Sequence, residues 1–350
     1  MAIHWASYVK YQRLRKAVMV CLVLALFVWT VYPWLPFHRN NHPQTIVLYG
    51  FAILESVITK NVFPAFQKKW KAQTGQDVEL IGSFAGSGTV TNQLIMGAPA
   101  ELAILSTELD VQRLMKASVI HGETWKALPH QGILNRTPFV IVVRPGNPKN
   151  IQSFSDLARP GIRIVHPDPL TSGAANWAIV AEYGAAVRQA GASPDAGKSM
   201  LLGVWRNVKI QASSGRAAKT QFDNGFGDAL VTYEQDALWS HEHGSIPFEI
   251  VYPRSTILSE HTVVVIDSHV SNEERKLIDA FTDFLWSEEA QRIFVENGFR
   301  SVDERLNVLN RQFGFIHDPF FIEDFGGWQK AKDLIIDKTW KNGVLKELKP

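Results

Sequence analysis

VELIGSFAGSGTVTNQLIM, residues 78–96, is the stretch that decides the fold. Its first four residues form a β-rich run, residues 82–88 form a loop of glycine and serine, and residues 89–96 have the pattern of a helix. The same order recurs around PLTSGAA, residues 169–175, and more loosely around SSGRAAKT, residues 213–220. Short strands that run through such loops into helices predict an α/β sheet layered by helices.

These three loops also predict a kind of ligand. The first turn of a helix leaves four N–H groups without intrahelical partners, and these groups and the positive end of the helix dipole favour an anion. Glycine lets the backbone come close to the ligand, and serine adds a hydroxyl donor. One such loop alone is better explained as a helix cap. Three loops in two halves of the chain are explained together by one shared anion.

Strand and helix patterns alternate outward from this stretch. The strong strand at residues 139–144 and the return strand at residues 262–266 divide the series into two parts. We therefore expect a two-lobed α/β fold, with lobe one at residues 45–140 and 256–350 and lobe two at residues 141–255. Crossing segments near residues 142–146 and 251–255 would form the hinge. No internal repeat is present.

The N-terminus reads as an export and anchoring signal. Residues 1–16 form a basic leader without acids, and residues 17–35 are an almost unbroken apolar stretch. About 20 residues suffice to span a bilayer, so a transmembrane anchor with residues 36–350 outside the cytoplasm is predicted. A cleaved signal sequence is the alternative, although YPWLPF at residues 32–37 offers no small residues for cleavage. Residues 36–44 read as a polar linker.

Composition excludes several classes of function. The net charge is +2, and beyond the four basic residues of the leader the chain has 32 basic against 34 acidic residues. Such a chain lacks the basic stripe that a nucleic-acid surface needs, so no nucleic acid is predicted as a partner. The single cysteine, Cys21, allows no intrachain disulfide. No cofactor or metal is predicted, since His241-Glu242-His243 fits a solvated loop better than a metal site.

Several short motifs, spread in order from about Ile46 to the C-terminus, give the chain a family resemblance. It resembles the periplasmic sulfate/thiosulfate-binding proteins of ABC uptake systems, which have the two-lobed type II periplasmic-binding fold. The motifs are Phe66 to Lys71 with Thr74-Gly75, Gly86-Ser87-Gly88, Val143 to Pro148, Thr171-Ser172-Gly173 with Trp177, Gly227-Asp228 before Tyr233-Glu234, and Phe325 to Trp328 with Lys330-Ala331.

The resemblance implies an extracytoplasmic receptor that holds sulfate, thiosulfate or a related oxyanion by neutral donors and delivers it to ABC permease subunits. By this resemblance Ser87 and Gly88 supply lobe-one donors. Ser172, Gly173 and Ala174 supply consecutive donors at a lobe-two helix start. Ala218 supplies a backbone donor, and Arg216 supports its loop.

The sequence departs from the family pattern at three positions. Phe51 stands in the segment whose backbone faces the ligand in the family. Tyr233 stands where the family has a tryptophan whose indole N–H donates to the anion, and a tyrosine hydroxyl can donate too. Ala174 replaces the second glycine of a Ser-Gly-Gly motif. These departures put the choice of oxyanion in question more than anion binding itself.

Carboxylates distinguish between oxyanions. Sulfate only accepts hydrogen bonds, whereas phosphate at neutral pH carries a proton and needs an acceptor, so a site of donors alone favours a proton-free oxyanion. None of the three loops contains an Asp or Glu. Two alternatives remain: a tethered sensor or accessory protein for a different small anion, and an enzyme with Ser87 as nucleophile. The enzyme ranks last, because Ala85 and Thr89 occupy the glycine positions of a nucleophile elbow.

Overall fold

The computed structural model describes residues 2–31, 44–189, 191, 193–244 and 246–348. The chain divides into two compact units, Met1–Pro43 and Gln44–Pro350. The first contains one helix, α1 (Ala2–Val31). Residues 17–35 were expected to form a transmembrane anchor, but none of the helices described has both the length and the apolarity needed to cross a bilayer. Most of the predicted linker, residues 36–43, lies outside the described residues.

The first sheet of the large unit is built on parallel strands. Strand β1 (Gln44–Phe51) lies between β2 (Val78–Ala85) and β3 (Leu102–Leu105), and β3 pairs with the antiparallel strand β9 (Ser255–Val265). After β1 the chain continues as a composite helix that includes α2 (Glu55–Val57) and α3 (Phe63–Thr74). Gly75 ends it in the left-handed conformation at φ 72°. Helices α4 (Ser87–Ile95) and α5 (Glu108–Lys116) follow β2 and β3.

The second sheet has the strand order β4-β7-β5-β6, with β8 also on β4. Its strands are β4 (Ile133–Val143), β5 (Ile164–Pro167), β6 (Val208–Ala212), β7 (Ala229–Tyr233) and β8 (Glu249–Val251). Its helices are α6 (Phe154–Leu157), α7 (Gly173–Gln189), α8 (Pro194–Asn207), α9 (Gly215–Asp223) and α10 (Glu234–His243). Most of α7 is buried, as its nearly continuous apolar sequence requires.

Strands β4 and β9 connect the two sheets. Residues 133–138 of β4 pair with β9, whereas residues 139–143 pair with β7. The chain therefore changes sheets between Pro138 and Phe139, a few residues before the predicted crossing at 142–146. This arrangement produces two α/β lobes, each with its own sheet, and it places the carboxyl ends of the parallel strands of both sheets at the interface between the lobes.

The C-terminal part departs from the predicted partition. It comprises α11 (Arg275–Leu285), α12 (Glu288–Glu296), β10 (Arg300–Ser301), β11 (Asp318–Phe320), α13 (Gly327–Ala331), a π-helix (Lys332–Val344) and α14 (Leu345–Leu348). The sequence placed residues 256–350 in lobe one. Residues 327–348 instead pack on α7 and α8 of lobe two, where the Trp328 ring lies 4.4 Å from that of Trp177 and Trp340 lies 4.8 Å from Trp205. Burial of these indole rings accounts for the position of the segment.

Candidate functional site

A small cavity lies between the lobes, where strands of both sheets end. About 190 Å³ of empty space separates its lining atoms. The lining consists of Phe51, Ala52, Ile53, Gly86, Ser87, Ser106, Ser172, Gly173, Ala174, Ser214, Gly215 and Tyr233. Loops at the carboxyl ends of β1, β2, β3, β5, β6 and β7 supply all of these residues, which is the position where α/β sheets bind ligands. The structure thus brings together six of the eight predicted residues: Phe51, Ser87, Ser172, Gly173, Ala174 and Tyr233.

Three helices begin at this cavity. Gly86 is the N-cap residue of α4, α7 starts at Gly173, and Ser214 caps α9 by accepting the Ala217 N–H through its hydroxyl. Their first-turn N–H groups and dipoles create a positive potential without any formal charge. No charged side chain is among the described lining residues. The arrangement is suited to a small anion that is held by neutral donors.

The two lobes are in direct contact around the cavity. The Thr89 N–H donates to the Thr171 carbonyl at 3.3 Å, a backbone hydrogen bond between α4 and the loop before α7. A Cβ atom placed on Gly86 would lie 2.4 Å from the carbonyl oxygens of both Thr171 and Ser213. Only glycine permits this approach. Because the lobes touch each other through backbone atoms at this point, the structure shows their closed arrangement.

The hydroxyl of Ser87 is not free to serve as the predicted ligand donor. It donates to Oδ2 of Asp110 at 2.7 Å, and its oxygen accepts the Ser106 N–H at 3.0 Å. What Ser87 can still offer an anion is its backbone N–H, the first of α4. Asp110 belongs to α5, outside the three loops, and Arg113 lies 3.1 Å from its other oxygen. The buried Asp110 carboxylate thus contacts Ser87, which lines the cavity, but Asp110 does not itself line the cavity.

Two other predicted residues lie elsewhere. The Ala218 N–H donates to the Ser214 carbonyl at 2.9 Å within α9, so this amide is already used by the helix. Because α9 begins at Gly215, Ser214 and Gly215 line the cavity instead. Gly88 borders a larger outer groove between the lobes. Arg216 stacks on the Trp239 ring at 4.4 Å, which agrees with a supporting role in its loop.

Tyr233 ends β7 of lobe two, and its hydroxyl contacts Ser106 of lobe one. Its ring is buried and packs against Phe139 with centroids 4.6 Å apart, and burial raises the pKa of its hydroxyl far above the usual range. The Tyr233 hydroxyl lies 2.7 Å from Oγ of Ser106. Trp177 also donates from its indole to the Ser106 carbonyl, at 2.6 Å. Sequence reasoning missed Ser106, and the available signal was a hydroxyl residue directly after a buried strand.

Charged and titratable groups lie behind the cavity, where the lobes are joined. Glu234, the residue after Tyr233, forms a bidentate ion pair with Arg300, and both N···O distances are 2.7 Å. Burial raises the pKa of Glu234, although Arg300 opposes the shift. His261 on β9 is buried against Phe51, and burial lowers its pKa to about 3. Its Nδ1 lies 2.6 Å from Oδ1 of Asn135.

In the part of the chain that is described, no group of three or more His, Cys, Asp or Glu side chains is arranged to hold a metal.

Comparisons with known proteins agree with this geometry. The family described as bacterial extracellular solute-binding protein matches residues 57–300. A sulfate-binding protein of Synechococcus elongatus is 31% identical over 312 residues, 87% of each chain. A thiosulfate-binding protein of Pseudomonas aeruginosa is 32% identical over 279 residues, 78% of this chain and 83% of its own. The solved sulfate-binding protein SubI of Mycobacterium tuberculosis H37Rv superposes with a TM-score of 0.75 at 31% identity, covering 83% of this chain and 98% of its own. The chain therefore belongs to the bacterial extracellular solute-binding proteins and is similar to their sulfate- and thiosulfate-binding members.

Proposed function

We propose that this protein captures sulfate, thiosulfate or a related tetrahedral oxyanion in the interlobe cavity and presents it to ABC permease subunits. The names of its relatives supply the ligand class. The observation that carries the proposal is the convergence of three helix N-termini on one small interlobe cavity, where none of the described lining residues is charged. Such donors stabilise an anion without a counter-charge.

Features of the cavity favour binding of a proton-free inorganic anion over the alternatives. None of the described residues that line the cavity has a carboxylate to accept a proton from a hydrogen phosphate. Its small volume disfavours an organic anion, the ligand class that a sensor with a changed specificity would require. The Ser87 hydroxyl is committed to Asp110 and Ser106, which supports a structural serine rather than a nucleophile.

Titration calorimetry of the full chain tests the proposal. Sulfate, thiosulfate, molybdate and phosphate are titrated separately at pH 6 and pH 8. We expect saturable heat with sulfate or thiosulfate at both pH values and none with phosphate. Absence of heat with all four anions at both pH values would overturn the proposed function. Binding of phosphate alone would overturn the assignment to proton-free oxyanions.

We also propose that the protein is periplasmic and attached to the membrane through α1. Family membership supports the compartment. The attachment is supported by the apolar side chains of Val18 to Val20, Leu22 to Leu24 and Leu26 to Trp29, which are 51–78% exposed. Apolar surface of this kind is stabilised by burial in lipid. Membranes extracted with alkaline carbonate should retain a protein whose intact mass includes residues 1–35. A shorter soluble protein would identify residues 17–35 as a cleaved signal.

A further inference from the structure

We infer that Ser106 and Tyr233 form a paired hydroxyl donor, assembled when the lobes close, that offers one O–H to the bound oxyanion. The inference rests on the proposed function and adds a donor to its site. Both residues line the cavity, and each is 1% exposed. Their oxygens lie 2.7 Å apart, the ordinary distance for a hydrogen bond between two hydroxyls.

Counting protons shows what the pair can donate. Two hydroxyls carry two protons, and their mutual hydrogen bond uses one of them. If Tyr233 donates to Ser106, the Ser106 proton remains, and if Ser106 donates to Tyr233, the phenolic proton remains. One O–H is thus left over in either arrangement, and both oxygens are buried among the residues that line the cavity. A fully ionised oxyanion, which only accepts, is the partner that satisfies it.

The pair belongs to both lobes. Ser106 directly follows β3 in the first sheet, whereas Tyr233 ends β7 in the second. Ser106 is fixed by two more bonds, since its N–H donates to Ser87 and its carbonyl accepts from Trp177. Separation of the lobes would break the bonds from Ser106 to Tyr233 and Trp177 together. The donor pair is therefore complete only in the closed form, and it links ligand binding to closure.

The inference makes an unusual prediction for single and double variants. In Tyr233→Phe the Ser106 hydroxyl loses its partner and can turn to the anion, and in Ser106→Ala the Tyr233 hydroxyl can do the same. A pair with a merely structural role would instead lose its whole effect with either single change, and the double variant would then match the singles. A donor pair requires the double variant to lose far more than the singles combined.

Calorimetry with sulfate and thiosulfate on the full chain distinguishes these cases. We expect each single variant to bind less than 5-fold more weakly than wild type. The Ser106→Ala/Tyr233→Phe variant should bind about 30- to 100-fold more weakly, the range for losing a hydrogen bond to a charged group. Ser259→Ala and Tyr252→Phe remove hydroxyls outside the cavity and should bind within 2-fold of wild type. A double variant within 3-fold of wild type, or no weaker than the product of the singles, overturns the inference.

Two further measurements keep the test decisive. Wild type that gives no heat with sulfate, thiosulfate, molybdate or phosphate contradicts the proposed function itself, whereas wild-type binding with an unaffected double variant contradicts only the hydroxyl pair. If the double variant melts far below its two controls without ligand, Ser106→Thr/Tyr233→Phe replaces it. That variant keeps one hydroxyl and should bind like Tyr233→Phe alone. Binding at least 10-fold weaker than Tyr233→Phe would overturn the inference.

Discussion

The interlobe cavity and the junction behind it, where strands β4 and β9 join the lobes, contain different kinds of polar group. Those of the cavity are neutral and those of the junction are charged, although some of these residues are neighbours in the chain. Tyr233 lines the cavity with a neutral hydroxyl, and Glu234, the next residue, is a buried carboxylate paired with Arg300. The junction contains a second such pair, Arg136 with Glu260 at 2.8 Å on β4 and β9. None of the described lining residues of the cavity carries a charge.

The difference reflects which interactions have to be reversible. A ligand must enter and leave, and neutral donors hold an anion without leaving a buried charge unpaired when it departs. The junction strands β4 and β9 pair directly with each other, so their charges can remain permanently paired. Removing one member of a buried pair is costly because the other is left uncompensated.

Gly86→Ala should have the largest effect on ligand binding, because it blocks closure. The added Cβ would lie 2.4 Å from two backbone carbonyl oxygens of lobe two, those of Thr171 and Ser213. Backbone atoms cannot move aside as a flexible side chain can. We expect sulfate affinity to fall by at least 100-fold, about 2.7 kcal/mol or more. Calorimetry measures the loss.

The same substitution should leave the open protein folded, because Gly86 has φ −58°, which alanine adopts without strain. The melting temperature without ligand should therefore change little. Gly343→Ala is the matched control, since its Cβ would meet neighbours only at 3.5 Å, and it should bind normally. Normal affinity in Gly86→Ala would mean that the ligand-bound form differs from the closed arrangement seen here.

Arg300→Gln should destabilise the junction without entering the cavity. It removes both 2.7 Å bonds to Glu234 and leaves that buried carboxylate without its counter-charge. We expect the free energy of unfolding to fall by about 3–5 kcal/mol. Denaturant unfolding without ligand is the measurement. Arg292→Gln, which breaks an exposed pair with Glu288, should cost about 0.5 kcal/mol or less and serves as the control. Equal losses in the two variants would show that the buried pair contributes no more to the free energy of unfolding than the exposed pair does.

Much of the fold and most of the cavity followed from local sequence. The strand, Gly/Ser loop and helix order at residues 78–96 was sufficient because each part is specified by its own residues. The placement of Ser172, Gly173 and Ala174 at the start of α7 followed from the same local pattern. The fold expectation failed where contacts are distant in sequence. The indoles of Trp328 and Trp340 carry residues 327–348 onto lobe two, and no periodicity within that segment reveals which partner they meet.

The errors in the site have the same origin. Ser87 was expected to point a hydroxyl at the ligand, but its proton goes to Asp110, 23 residues away. Ser106 has no glycine beside it, and Thr107 rather than Ser106 caps the helix that follows, so the Gly/Ser loop motif did not mark it. Ala218 was expected to offer its backbone N–H to the ligand, but α9 begins at Gly215 after the N-cap Ser214, and the Ala218 N–H bonds to the Ser214 carbonyl. Local sequence thus indicated which loops meet, but not which atoms remain free once they do.

His261→Asn should have the smallest effect and one that depends on pH. His261 contacts Phe51 and titrates at about 3 when folded, against 6.5 as its ordinary value. Below pH 6.5 the unfolded chain binds a proton that the folded chain does not, so the wild-type protein loses stability as the pH falls. This one group should remove about 2 kcal/mol of stability between pH 7.5 and pH 5.

Asparagine cannot titrate, and its amide can still donate to Asn135, so the variant should lose about that much less stability over the interval. The raised pKa values of Glu234 and Glu260 act in the opposite direction in both proteins and cancel in the comparison. Unfolding curves at pH 7.5 and pH 5 that shift equally in wild type and variant would mean that His261 has the same pKa in the folded and the unfolded protein.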